Sequence, residues 1–142
     1  MYNYKYKVKY YETDMQGIVH HSNYLRYLEN AREELIEDFL GMTSQNFDEI
    51  GIFYVIREAE TKFIYPIRFG DNLSINVKLT AYNGVKLTHE YEFVVDWNIH
   101  ATAKTVMVSI DKESFKPFSV RKKHTEIHLK TLELLELHNR IK

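Results

Sequence analysis

Ser22-Asn23-Tyr24-Leu25-Arg26-Tyr27-Leu28-Glu29-Asn30-Ala31-Arg32-Glu33-Glu34-Leu35-Ile36-Glu37-Asp38-Phe39-Leu40-Gly41 is the stretch that decides the fold class. Its apolar residues Tyr24, Tyr27, Leu28, Ala31, Leu35 and Phe39 recur at spacings of three and four, which predicts an amphipathic helix about four turns long. Ser22 or Asn23 is placed to cap its start by accepting a free backbone N–H, and Gly41 to end it in a left-handed conformation. On both sides the period drops to two. Upstream, Tyr2, Tyr4, Tyr6, Val8 and Tyr10 alternate with Asn3, Lys5, Lys7 and Lys9, the pattern of a half-buried strand over Tyr2–Tyr11.

Downstream, after a short helix or loop at Met42–Gly51, four more strands are expected. Phe53–Tyr65 stops at Pro66, which cannot donate to a ladder, and Phe69-Gly70-Asp71-Asn72 makes a turn. Leu73–Tyr82 leaves through Asn83-Gly84, a tight hairpin signal. Val85–Val95 turns at Asp96-Trp97-Asn98 into His100–Asp111. Beyond Lys116-Pro117 the chain becomes charged, and Leu129, Leu132, Leu135 and His138 predict a terminal helix, so that residues 121–142 form a helical extension of a single domain spanning 1–142. One long helix and five strands joined by short turns imply an α+β fold with an antiparallel sheet and the helix as its cover.

Composition narrows the function. The 142 residues are 44% hydrophobic and 14% aromatic, enough for one core without covalent staples. There is no cysteine, which excludes disulfides and thiol chemistry. A net charge of −1 with lysines and arginines dispersed among 20 acidic residues argues against a nucleic-acid partner. Met1–Tyr10 lacks the apolar core of a secretory signal and no long apolar run follows, so no membrane association is expected and the cytoplasm is the default compartment.

The chemistry is concentrated in Tyr11-Glu12-Thr13-Asp14-Met15-Gln16-Gly17-Ile18-Val19-His20-His21-Ser22-Asn23-Tyr24. This stretch, continuing to Glu29 and Arg32, resembles the signature of the 4-hydroxybenzoyl-CoA thioesterase family and its acyl-CoA thioesterase relatives. In them Thr-Asp-x-x-Gly-x-Val precedes a helix that opens with Asn-Tyr or Ser-Tyr. The resemblance implies a hotdog fold, in which a five-stranded antiparallel sheet wraps a long central helix. It also implies hydrolysis of an acyl-CoA thioester with no cofactor beyond the CoA of the substrate.

Thioester hydrolysis needs a base or nucleophile on one side of the carbonyl and a positive partner for its oxygen on the other. A helix N-terminus supplies the second through its unpaired N–H groups. By the resemblance, Asp14 is the catalytic carboxylate, either attacking the carbonyl or activating water. His21 offers its backbone N–H to the oxyanion, and its imidazole orients water or substrate. Gly17 allows close approach, while Ile18, Val19 and Tyr24 shape the acyl pocket. The active sites of the family lie at a dimer interface, so a homodimer, with pairing of dimers into a tetramer, is expected, and strand residues around Val55, Thr61 and Lys62 would come from the second subunit.

Simpler readings stand beside these. Asp14 alone is an ordinary turn residue, His20 a rim residue, and Glu29 with Arg32 an i,i+3 ion pair on the helix surface. His124-Thr125-Glu126-Ile127-His128 has metal-ligand spacing but lacks the zinc-protease glutamate position, so no metal is expected. Arg121-Lys122-Lys123 is a basic patch. A different class of function, a non-catalytic acyl-CoA or acyl-carrier-protein binding module, uses the same groove without releasing thiol. The Asp/Asn, Asn-Pro and His pattern of hydratases on this fold does not occur.

Overall fold

A computed structural model describes residues 1–140; the last two residues of the expected extension, 141–142, lie outside the described residues. Five strands, β1 (Tyr2–Lys7), β2 (Ile52–Phe63), β3 (Asn72–Tyr82), β4 (Lys86–Val95) and β5 (Asn98–Asp111), form one antiparallel sheet in the order β1-β3-β4-β5-β2. The helices are α1 (Ser22–Leu40), α2 (Ser44–Glu49), α3 (Val120–Lys123) and α4 (Thr125–His138). Tyr24, Tyr27, Leu28, Ala31 and Leu35 of α1 share one core with Leu73, Ile75, Val77 and Leu79 of β3 and Leu87, Tyr91 and Phe93 of β4. These are the inward parities expected of the strands, because side chains alternate across a sheet. Among the described residues no helix is long and apolar enough to cross a membrane.

Several boundaries differ from expectation. β1 ends at Lys7, and Tyr10 sits in a 3₁₀ turn at Tyr10–Glu12 and is exposed. The ladder stops there because Val8 exchanges backbone hydrogen bonds with the Gly70–Asp71 turn, after which no strand remains beside it. Helix α1 has 19 residues, more than five turns, and its N-cap is His21 rather than Ser22 or Asn23. Gly41 ends it with φ 68°, as its sequence position implied. β2 stops at Phe63, since the N–H groups of Ile64 and Tyr65 both turn to the His100 carbonyl (2.9 and 3.0 Å). At Asp96-Trp97 both residues have positive φ (48° and 67°), the geometry of a tight hairpin turn.

The terminal helix forms, but its buried stripe is not the expected one. Leu129 and Leu132 are exposed, whereas Thr131, Leu134 and His138 are buried and Leu135 partly so. The cause is the sheet edge. β1 covers β3 only as far as Val77, leaving the backbone of Leu79 without a strand neighbour on that side. His138 Nδ1 accepts the Leu79 N–H (3.0 Å) and Asn139 Nδ2 donates to the Leu79 carbonyl (2.8 Å), so polar groups rather than leucines set the rotation of α4. The other two histidines of this region are also engaged: His128 Nδ1 meets Tyr82 Oη at 2.7 Å, and His124 lies edge-on to Phe118.

Burial holds the pKa of His138 down to about 4, helped by the positive N-terminus and Lys78. Burial, with the charge of Arg32, holds His89 at about 3. Both are neutral in the fold and near 6.5 once unfolded. As pH falls below that value the unfolded chain takes up protons that the fold refuses, and stability is lost until each folded pKa is reached. Between pH 6.5 and 5 the expected loss is about 2 kcal/mol per histidine. It is read as a falling urea midpoint, and His138→Gln should flatten that fall; an unchanged slope would contradict the assignment.

Candidate active site

The loop between β1 and α1 is held by Glu12. Its carboxylate accepts the Lys9 N–H (2.8 Å) and the Tyr6 hydroxyl (2.7 Å). Its carbonyl accepts the His20 N–H (2.9 Å) and the amide of Asn23 (2.8 Å). Asn23 thus pins the first turn of α1 to the start of the loop, which is why it is buried and why it does not cap the helix. Between these anchors the chain doubles back. Thr13 bridges Val19 in antiparallel fashion, the Asp14 N–H donates to Ile18 O (2.9 Å) and the Gly17 N–H to Asp14 O (3.0 Å). Gly17 has φ 75°, a left-handed conformation that an L side chain would strain. Val19 N–H to Ile67 O (2.7 Å) and an Ile18–Arg68 bridge dock the returning arm on the segment after β2.

The result is a cleft of ≈ 350 Å³ shared by Asp14, Ile18, Val19, His21 and Tyr24 with Phe63, Ile64, Tyr65 and Pro66. The structure therefore brings Asp14 to the start of α1. Gly17 lines the other side of the loop, in a second hollow with Asp14, Tyr10 and Phe69. Asp14 is exposed; one carboxylate oxygen accepts the Gln16 N–H (2.8 Å), the turn role the simpler reading gave it. His20 Nδ1 engages Ser22 (Oγ 2.8 Å, N–H 3.2 Å), and its ring lies 4.2 Å from that of His21. The N–H groups of His20, Ser22, Asn23 and Tyr24 all have acceptors. That of His21 has none among the described residues, so a free donor stands at the head of α1.

Phe63, Ile64, Tyr65 and Pro66 were not identified from sequence. Phe63 meets Tyr24 edge-on at 4.8 Å, and the signal was the apolar run at the end of β2 just before Pro66. In the single chain Val55, Thr61 and Lys62 do not line the Asp14 cleft. Val55 belongs to a cavity at the other end of β2, Thr61 pairs with Ala103, and Lys62 lies in a groove with Glu60 and Lys104. Nor does Arg32 pair with Glu29: it is buried, and its Nη1 donates to Tyr91 Oη (3.0 Å), which in turn meets Thr105 Oγ1 (2.6 Å).

The chain is similar to known proteins in sequence and in fold. The chain is 34% identical over 125 residues to YneP of Bacillus subtilis (strain 168), provisionally named an acyl-CoA thioesterase, with 86% of this chain and 88% of that protein covered. It is 26% identical over 117 residues to the acyl-CoA thioester hydrolase YbgC of Escherichia coli O157:H7, covering 82% and 87%. The fold matches that of the DHNA-CoA thioesterase of Staphylococcus aureus with a TM-score of 0.89 over 99% of this chain and 96% of that one, at 20% identity. A family model for the thioesterase-like superfamily matches residues 8–127. The chain, with the Thr13–Gly17 loop folded onto the head of α1, belongs to the thioesterase-like superfamily.

Proposed function

We propose that this protein hydrolyses an acyl-CoA thioester to a free carboxylic acid and CoA, with Asp14 as the catalytic carboxylate and the His21 N–H as oxyanion donor. The observation that carries this reading is the cleft whose lining includes both Asp14 and His21, the latter having a backbone N–H at the helix start with no acceptor among the described residues. The carbonyl oxygen sits against the helix end, where aligned peptide dipoles favour the charge that develops as the tetrahedral intermediate forms. Asp14, with one oxygen held by Gln16, presents the other to the carbonyl carbon or to an attacking water. The C–S bond then breaks and CoA leaves as the thiol. Ile18, Val19, Tyr24 and Phe63 give the acyl group an apolar wall. The reading keeps the cytoplasm as the compartment and needs no cofactor.

The central-helix hotdog arrangement and a homodimer belong to the same proposal. β2 is an edge strand of 12 residues with Val55, Ile56 and Phe63 exposed along it, a long edge that proteins normally cover. Antiparallel pairing of two such strands about a two-fold axis makes one continuous sheet and places the Val55 end of one copy beside the Phe63 end of the other. Thr61, and Val55 with Lys62 on the opposite face of β2 because of the bulge after Ile56, then belong to the second copy's half of the site, and pairing of dimers gives a tetramer. Thiol release from short, long-chain and aromatic acyl-CoAs is the direct test: turnover of at least one class is expected, and saturable CoA-ester binding without thiol release would instead establish a binding module.

A further inference from the structure

Among the described residues two buried side-chain atoms have no hydrogen-bond partner, Tyr27 Oη and His89 Nδ1. His89 packs on Tyr91 (rings 6.2 Å apart) and lines no part of the Asp14 cleft. Tyr27 sits where the clamp of the loop meets that cleft. It is 1% exposed, and its ring lies 5.2 Å from that of Tyr6, whose hydroxyl donates to Glu12, and 6.4 Å from that of Tyr24 on the cleft wall. Burial, and after it the Glu12 carboxylate, hold the Tyr27 hydroxyl above its usual pKa, so the two groups are near neighbours, yet no hydrogen bond joins them. A buried hydroxyl without a partner is destabilising, and phenylalanine would fill almost the same space without that cost.

We propose that Tyr27 is a positioning residue, whose hydroxyl donates to the Glu12 carboxylate when a thioester fills the Asp14 cleft. The inference rests on the thioesterase reading. Helix α1 already holds Glu12 at one point, because Asn23, one turn before Tyr27, donates to its carbonyl (2.8 Å). The carboxylate accepts the Lys9 N–H on one oxygen and the Tyr6 hydroxyl on the other, and a carboxylate has room for about four donors. A bond from Tyr27 therefore tightens the clamp without displacing either. It draws Glu12 toward the second turn of α1. Asp14 follows, because the Thr13–Val19 bridge and the Asp14 N–H bond to Ile18 make the loop one unit. The trigger is Tyr24, which packs on Phe63 (4.8 Å) on one side and on Tyr27 on the other, so an acyl group pressing on the cleft wall reaches Tyr27 through one side chain. The unpaired hydroxyl raises the energy of the open arrangement and brings it near balance with the closed one.

The test is Tyr27→Phe in the full-length protein, with thiol release measured on the acyl-CoA that the unmodified protein turns over best. kcat should fall by about 10–10²-fold, the scale set by a misplaced reacting group. KM should change by no more than about twofold, because two near-balanced arrangements share the bound state. The thermal midpoint should hold or rise, since an unpaired hydroxyl has been removed. Parent kcat in Tyr27→Phe overturns the inference, and so does a loss of kcat matched by a lower midpoint, which is damage to the core. A second measurement needs no variant: hydrogen exchange of the Glu12–Gly17 amides with and without a non-hydrolysable thioether analogue of the same acyl-CoA. Exchange should slow about twofold on binding in the unmodified protein and stay unchanged in Tyr27→Phe. Unchanged exchange in the unmodified protein at saturating analogue overturns the inference and leaves the thioesterase reading standing. Absence of thiol release from every acyl-CoA overturns both.

Discussion

Asp14→Asn is expected to lower kcat for thiol release by about 10²–10⁴-fold, the span that a positioned general base or nucleophile contributes. The amide keeps the hydrogen bond that Asp14 gives its own loop, since its carbonyl oxygen can still accept the Gln16 N–H. What it loses is the charge and basicity of the second oxygen. Asp14 is exposed and belongs to no part of the core, so the thermal midpoint should stay within about 1–2 °C of the parent. That separation between activity and stability is the diagnostic. Gly17→Ala, by contrast, puts a side chain at φ 75° and should cost both activity and loop order, although nothing lies within 4 Å of the added carbon. Retention of more than a tenth of the parent kcat in Asp14→Asn would remove Asp14 from the chemistry and leave it a turn residue.

Much of this site was legible in the sequence, because it depends on local spacing. Asp14, Ile18, Val19, His21 and Tyr24 fall within eleven residues, and Gly17 signals the reversal that folds them together. The five strands were legible for the same reason: period two in β3 and β4 places Leu73, Ile75, Val77, Leu87, Tyr91 and Phe93 inside whatever the tertiary context. What escaped was long-range. Glu12 looked like a loop residue, and only the approach of Tyr6 and Asn23 makes it the clamp of the site. Arg32 looked like half of a surface ion pair because Glu29 lies three residues before it; Tyr91, 59 residues away, takes it instead. The face of α4 was misjudged because leucine spacing outweighed His138 and Asn139, whose partner is a length of β3 edge that no local pattern reveals. Val55 and Thr61 belong to a third category: in one chain they lie outside the Asp14 cleft, and only the proposed second copy would bring them to it.

That dependence gives the second large effect. Two variants, Asp14→Asn and Val55→Trp, should each be nearly inactive alone, the first through its chemistry and the second because an indole in the cavity beside Ile52 and Met107 crowds the half of the site that the proposed dimer takes from the second copy. If the Asp14 cleft of one copy works with the cavity of the other, a mixed dimer contains one site with both defects and one with neither. Unfolding and refolding the two variants together at equal amounts makes about half of the dimers mixed, each with one sound site in two, so activity should recover to about a quarter of the parent value. A cleft served by its own chain's cavity gives a different result, because every site then carries one defect and mixing restores nothing. Recovery therefore measures the relation between the two halves directly. Recovery would also assign β2 its role: the strand whose open edge threatens aggregation in one chain would be, in the proposed pair, the element that joins the Asp14 cleft at the head of α1 to the second copy's half of the site.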